Sequence, residues 1–133
     1  MMALLLAAVL QTAIPMRAID KGITSNMDDG RRASARSVDE WSKLWTPHAG
    51  ERARPAIDFS KEIVVAVFMG SRPTAGFSVE IVRVREEGAT LVVSYKETRP
   101  APDSVAAQIL TSPFHIVAVP KGATTEVKFE RVN

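Results

Sequence analysis

The chain has 133 residues, 46% of them apolar and 24% charged, the size and balance of one globular domain that buries a core without covalent staples. It has no cysteine, which excludes disulfides, thiolate nucleophiles, Cys-ligated zinc and lipid attachment at an N-terminal Cys. The net charge is only +2; Arg31, Arg32 and Arg36 come nearest to a cluster, followed by Arg52 and Arg54, and the aromatics keep core-like spacings, so the pattern describes a mixed solvated surface and not a nucleic-acid face.

The apolar run Ala3–Leu10, followed by Gln11-Thr12-Ala13, has the length of a secretory h-region and is too short to span a membrane as a helix. No Lys or Arg precedes it, and cuts are expected near Ala13 or after Ala18. Residues 1–18 therefore read as a signal-peptide-like leader, with an uncleaved membrane anchor or an N-terminal strand as alternatives. The globular domain is then 19–133. Ile14–Asp29 contains Pro15, Gly22, Asn26 and Asp28 and reads as a linker ending in a turn. Arg31–Arg36 reads as a short polar strand. Ser37 precedes Glu40 by the capping-box spacing, and Val38, Trp41, Leu44 and Trp45 recur on one helical face. This predicts a short amphipathic helix that lays both indoles on a sheet and ends at Pro47 and Gly50.

Glu51–Ser60 reads as a loop that brings Ile57 and Phe59 to the core. Ile63–Met69 is an unbroken apolar run rich in β-branched residues, as a strand buried on both faces requires. Gly70, Pro73 and Gly76 mark a turn, after which Phe77, Val79 and Ile81 alternate with Ser78 and Glu80. The expected product is a hairpin. Glu86-Glu87-Gly88 turns the chain into a third strand carrying Leu91, Val93 and Tyr95. Thr98–Ser104 is a Pro-rich crossing loop, and Val105–Thr111 reads either as one helical turn or as an extended segment. Pro113 opens a fourth strand, and Val127, Phe129 and Val132 make a last one. The fold class predicted is α+β, mainly antiparallel sheet, partly barrel- or sandwich-like, with one N-terminal amphipathic helix.

Residues that carry chemistry are sparse. His48 and His115 have no acidic residue at ligand spacing, so neither a metal nor a cofactor is expected. His48 reads as a partner of the helix C-terminal dipole and His115 as a sheet-face residue. Ser78, His115 and Asp103 supply the types of a Ser-His-Asp assembly, but no nucleophile elbow surrounds Ser78. Asp58, Glu62, Glu80, Glu86 and Glu87 offer carboxylates, placed in turns or on polar strand faces where solvation explains them. The Gly70–Gly76 turn precedes a strand and lacks the Gly-Lys-Thr ending of a phosphate loop, so its glycines read as turn residues.

Two stretches, DFSKEIVVAVFMGSRPTAGFSVEIVRV and ETRPAPDSVAAQILTSPFHIVAVPK, resemble the C-terminal domain of the protease-complex subunit PrcB family. The resemblance rests on the strand ending in Gly70, the Pro73-Thr74-x-Gly76-aromatic turn, Pro100-x-Pro102 and Thr111-Ser112-Pro113-Phe114-His115. It covers roughly residues 58–121, and Ala75 stands where the family often has a second Gly. The resemblance implies an exported, non-catalytic accessory or protein-binding domain, periplasmic or extracellular. Its partner would be a secreted protease or another envelope protein, with no nucleic acid and no membrane span once the leader is removed. The lipoprotein character of the namesake does not carry over, because there is no Cys. The candidate contact residues are Ser71, Arg72, Pro73, Thr74, Gly76 and Phe77 on one loop and Pro100, Pro102, Ser112, Pro113 and His115 on the other. Two alternatives stand beside this reading. One is a small hydrolase using His115 with Asp103 or Glu80; the other is a ligand-binding module with an apolar cavity under Trp41 and Trp45.

Overall fold

The computed structural model describes residues 13–133, so most of the expected leader lies outside the described residues. Seven strands and one helix follow in the order β1 (Arg17–Gly22), β2 (Arg31–Ala35), α1 (Val38–Ala49), β3 (Glu62–Phe68), β4 (Ser78–Glu87), β5 (Thr90–Thr98), β6 (Phe114–Pro120) and β7 (Glu126–Val132). They form a four-stranded sheet in the order β1-β6-β3-β2 and a three-stranded sheet in the order β4-β5-β7. All pairings are antiparallel except β5 with β7. The sheets are not closed into a barrel, and the fold is α+β with mostly antiparallel sheet.

The alternation of side chains along β3 sets the layering. Val64, Ala66 and Phe68 point to the helix and pack with Trp41, Leu44, Trp45, Phe114 and Ile116. Ile63, Val65 and Val67 point the other way, to a cluster that includes Ile81, Val84, Leu91, Val93 and Val119. A strand covered on both faces has no polar side to show, which is why Ile63–Met69 is uninterrupted. The result is three layers: helix, four-stranded sheet, three-stranded sheet.

The helix forms as its sequence predicts. The Ser37 side chain accepts from the Glu40 N–H, and the Glu40 carboxylate accepts from the Arg36 N–H. Asp39 and Glu40 lie in the first turn, where the dipole favours them. Pro47 does not end the helix. It sits inside the last turn, and the helix runs on to Ala49 before Gly50 closes it at φ 61°. Both indole N–H groups donate to loop carbonyls, Trp41 to Pro55 and Trp45 to Arg52. Each indole buries about 200 Å² of apolar surface, which at about 25 cal/mol/Å² is on the order of 5 kcal/mol.

Two further expectations are corrected. The first is the hairpin: β3 pairs with β2 and β6, while β4 pairs with β5. The Gly70–Phe77 segment carries the chain from one sheet to the other. Glycine is required at its two ends. A Cβ on Gly70, at φ 78°, would lie 2.6 Å from the Gly30 nitrogen, and one on Gly76, at φ 95°, would lie 2.8 Å from the Pro100 Cβ. The second is the linker, since Arg17–Gly22 is a strand that pairs with β6. Upstream of it the Ile14 N–H donates to the Val84 carbonyl at 3.0 Å, and Ile14 packs against the core between the sheets. Val105–Leu110 forms neither helix nor strand; the Ile109 N–H donates to the Ala107 carbonyl in a tight turn, and Thr111 is joined to Arg72 by an isolated bridge.

Candidate functional site

The two loops singled out in sequence lie against each other. Arg72 and Thr111 exchange backbone hydrogen bonds at 2.7 and 2.9 Å, and Ala75 N–H donates to the Ala107 carbonyl at 3.0 Å. The Thr111 hydroxyl donates to the Thr74 carbonyl at 2.9 Å. On the other side, Ser71 donates to Asp28 from both its N–H and its hydroxyl. The Gly76–Pro100 approach completes the brace. Thus Ser71, Arg72, Pro73, Thr74, Gly76, Phe77, Pro100 and Pro102 belong to one surface, with Ser71, Pro73, Gly76 and Pro102 exposed and the rest half-buried.

Ser112, Pro113 and His115 are buried instead. The Ser112 hydroxyl donates to the Met27 carbonyl, and the Pro113 carbonyl accepts from the Met69 N–H. His115 faces the inter-sheet core, where its Nδ1 accepts the Ile81 N–H at 2.8 Å. That N–H lies on β4 beside the register shift between Ile81 and Arg83. Burial, aided by the charge of Lys21 and opposed by Glu80, lowers the His115 pKa to about 4. An acceptor nitrogen needs a neutral ring, so hydrogen bond and burial agree.

What braces the surface is polar; what it displays is apolar. Val105 is fully exposed, Leu110 is 82% exposed and Ile109 about half. These large apolar side chains stand together within a stretch whose backbone is tied down at Ala107 and Thr111. Nothing in the folding of the domain requires them at the surface.

Beside this loop a cleft of about 480 Å³ opens between the sheets. Arg31 and Arg32 from β2, Arg72 from the crossing segment and Arg131 from β7 line it, with Tyr95 and Glu97 from β5. Arg131 donates to Glu97 at 3.3 Å, and Arg32 donates to the Tyr95 hydroxyl at 3.0 Å. The Arg72 guanidinium lies over the Phe77 ring at 5.8 Å, and its Nε is buried without a hydrogen-bond acceptor. The sequence shows no concentrated basic patch because Arg32, Arg72 and Arg131 are far apart along the chain. The fold gathers them.

A second polar constellation was also missed. His48 is buried at the end of α1, its Nδ1 2.7 Å from the Ser25 hydroxyl and its Nε2 2.9 Å from the Asp20 carboxylate. Arg52 donates to the same carboxylate at 2.8 Å. With Nε2 protonated toward Asp20, Nδ1 accepts from Ser25, whose oxygen in turn accepts from the Met27 N–H. Burial pushes the His48 imidazole below its ordinary pKa against the pull of Asp20. For Asp20 burial works upward, but hydrogen bonds from His48 and Arg52 hold the carboxyl below its ordinary range. These are the residue types of a catalytic triad, yet the imidazole is enclosed by Trp45, Phe68 and Phe114. Their effect is to tie the segment after β1 to the helix end, where Asn26 N–H also donates to the His48 carbonyl.

Of the remaining candidate residues, Ser78 and Asp103 are exposed, and three carboxylates form ion pairs. Glu62 pairs with Arg17, Glu80 with Lys21 and Glu87 with Arg85. Trp41 and Trp45 pack at 5.4 Å centroid separation, and the space beside Trp41 is a shallow groove of about 270 Å³ bounded by Val38, Pro55, Ile57 and Phe59. Among the described residues no group of three or more His, Asp and Glu gathers as metal ligands, and no helix is long and apolar enough to cross a membrane.

No curated protein and no solved structure matches the chain. A family does: the match runs from the first buried residue of β3 to the last residue of β6, taking in the glycine-bounded crossing and the braced apolar loop. Residues 63–120 of this chain match the PrcB C-terminal family, the one that its turn and strand motifs resemble.

Proposed function

We propose that the protein is a non-catalytic, exported accessory domain that binds another protein, and that its partner is a protease or a subunit of a protease complex. The observation that carries this reading is the exposed group Val105, Ile109 and Leu110 on a loop whose backbone is pinned to the crossing segment. A pinned loop presenting large apolar side chains loses little conformational entropy when covered, which favours binding. The family match adds the association with a protease complex. The buried state of His48 and His115 and the pairing of the carboxylates give the reading further support, because each has a structural use.

The test uses the full chain as bait in extract from its own source cells, with retained proteins identified by mass spectrometry. The wild type is expected to retain a protease or a subunit of its complex. A Val105→Ser, Ile109→Ser, Leu110→Ser variant with unchanged thermal melting is expected to lose it. Equal retention by the variant, or no protease among the retained proteins, overturns the proposal.

A further inference from the structure

The cleft between the sheets carries more positive charge than the protein itself uses. Of its four arginines, Arg131 faces Glu97 and Arg32 faces the neutral Tyr95 hydroxyl. Arg31 is in register with Phe68 and so leaves the strand on the helix side, and among the described residues neither Arg32 nor Arg72 has a carboxylate partner. A guanidinium at the wall of an open cleft with no carboxylate of its own is free to take one from outside. Guanidinium groups bind carboxylates as planar forks, and a cleft of about 480 Å³ is in the size range of ligand sites.

Two further features decide the kind of ligand. Arg31 and Arg32 belong to β2, which is an edge strand with β3 on one side only. Its other side offers main-chain groups to an added extended segment. Arg72 is joined by two backbone hydrogen bonds to Thr111, which directly follows the exposed Ile109 and Leu110. The charge lies beside the strand edge, and the apolar loop is joined to Arg72 through Thr111. Charge complementarity selects an acidic occupant, the open edge an extended one and the loop a partly apolar one.

We propose that the Arg32–Arg72 cleft binds an extended acidic segment of a protein partner, its carboxylates on the guanidiniums and its apolar side chains on Ile109 and Leu110. This rests on the protein-binding reading above and names the chemistry of the partner. A small free anion is the competing occupant.

Fluorescence anisotropy with a labelled peptide of alternating Asp and Leu tests the assignment, with the Asn-and-Leu counterpart and inorganic phosphate as the other probes. The Asp peptide is expected to bind at least about tenfold more tightly than the Asn peptide, and to weaken as salt is raised. Arg72→Gln is expected to weaken it about tenfold, as is Arg32→Gln, a variant at an exposed position that leaves the melting temperature unchanged. Equal affinity for the two peptides, or indifference to Arg32→Gln, overturns the proposal. Binding of phosphate without binding of the Asp peptide overturns it in favour of a small-anion site. If the loop variant loses a protease in extract while the Asp peptide never binds, the protein-binding reading stands and the cleft assignment alone falls.

Discussion

On one face of the four-stranded sheet Val65, Val67, Val117 and Val119 meet the aliphatic side chains of the second sheet. On the other, Val64, Ala66 and Ile116 meet two indoles, two phenyl rings and an imidazole. The first face is held by apolar area and by sheet-to-sheet contact, with His115 as a buried polar link to β4. The second is held by area and also by polar hooks: two indole N–H groups on loop carbonyls, and His48 between Ser25 and Asp20. The difference has a physical origin. A helix lying across a sheet leaves its ends and flanks to irregular segments, whose backbone groups need partners. Aromatic side chains that carry a polar atom supply those partners from inside the core. Stability of the helix layer therefore depends on hydrogen-bond acceptors in residues 20–26 and 52–55, while the inter-sheet face depends mostly on area.

The largest way to break this comparison is to remove an anchor from each face. Trp41→Ala is expected to cost about 3–5 kcal/mol and Ile81→Ala about 2–5 kcal/mol, read as urea midpoints. Near-UV circular dichroism should fall first in the Trp41 variant. Loss of the whole fold at the same denaturant concentration by every probe would show that the layers are not separable.

Acid is the next lever. The His115 pKa is lowered to about 4 from an unfolded value of 6.5, so the unfolded chain takes up the proton first. That contribution is fully present above pH 6.5 and is lost as pH falls toward 4, for a total of about 3 kcal/mol. His48 is lowered too and acts in the same direction. Urea midpoints measured between pH 7 and 4.5 should therefore fall, and His115→Gln should flatten the slope. An unchanged slope in that variant would sink this account of the inter-sheet link.

Ser25→Ala sharpens the comparison at smaller scale. It leaves a buried imidazole nitrogen without its donor and is expected to cost about 1–2 kcal/mol. Arg17→Ala, which removes an exposed pair with Glu62, is expected to cost less than about 1 kcal/mol. Equal losses would mean that the buried hook has no special weight. The smallest effect belongs to the cap: Ser37→Ala should cost about 1 kcal/mol, seen as a lowered melting temperature.

What was legible in the sequence follows the same division between local and distant. The helix and its Ser37 cap were readable because spacing and capping act within a few residues. The double burial of β3 was readable because Ile63–Met69 shows it directly. Pairing was not. The Gly70–Gly76 glycines have the chemistry of a hairpin turn and of a crossing between sheets alike, and only the partners β6 and β5 decide which. Strand β1 was hidden because RAIDKG is half-polar, as an edge strand with one half-buried face can be. Pro47 was read as a stop, although in a last turn it removes only one helical hydrogen bond. Of the candidate surface, the two loops were found as turn and proline motifs, but their mutual bracing was not. The arginine cleft was invisible because Arg32, Arg72 and Arg131 meet only after three segments are folded together.

The order β1-β6-β3-β2 also sets a schedule. Strand β3 can take β2 from behind it at once, but its other side stays open until residues 114–120 exist, and β1 cannot dock before β6 has. The most apolar strand of the chain must therefore wait, one edge bare, for the synthesis of about fifty further residues, on the order of several seconds at about 5–20 residues per second. Contacts of such sequence separation close slowly. During that interval Ile63–Met69 is the segment most exposed to pairing with a neighbouring copy, so the yield of folded protein should be governed by how the nascent chain is sheltered as much as by the stability it finally reaches.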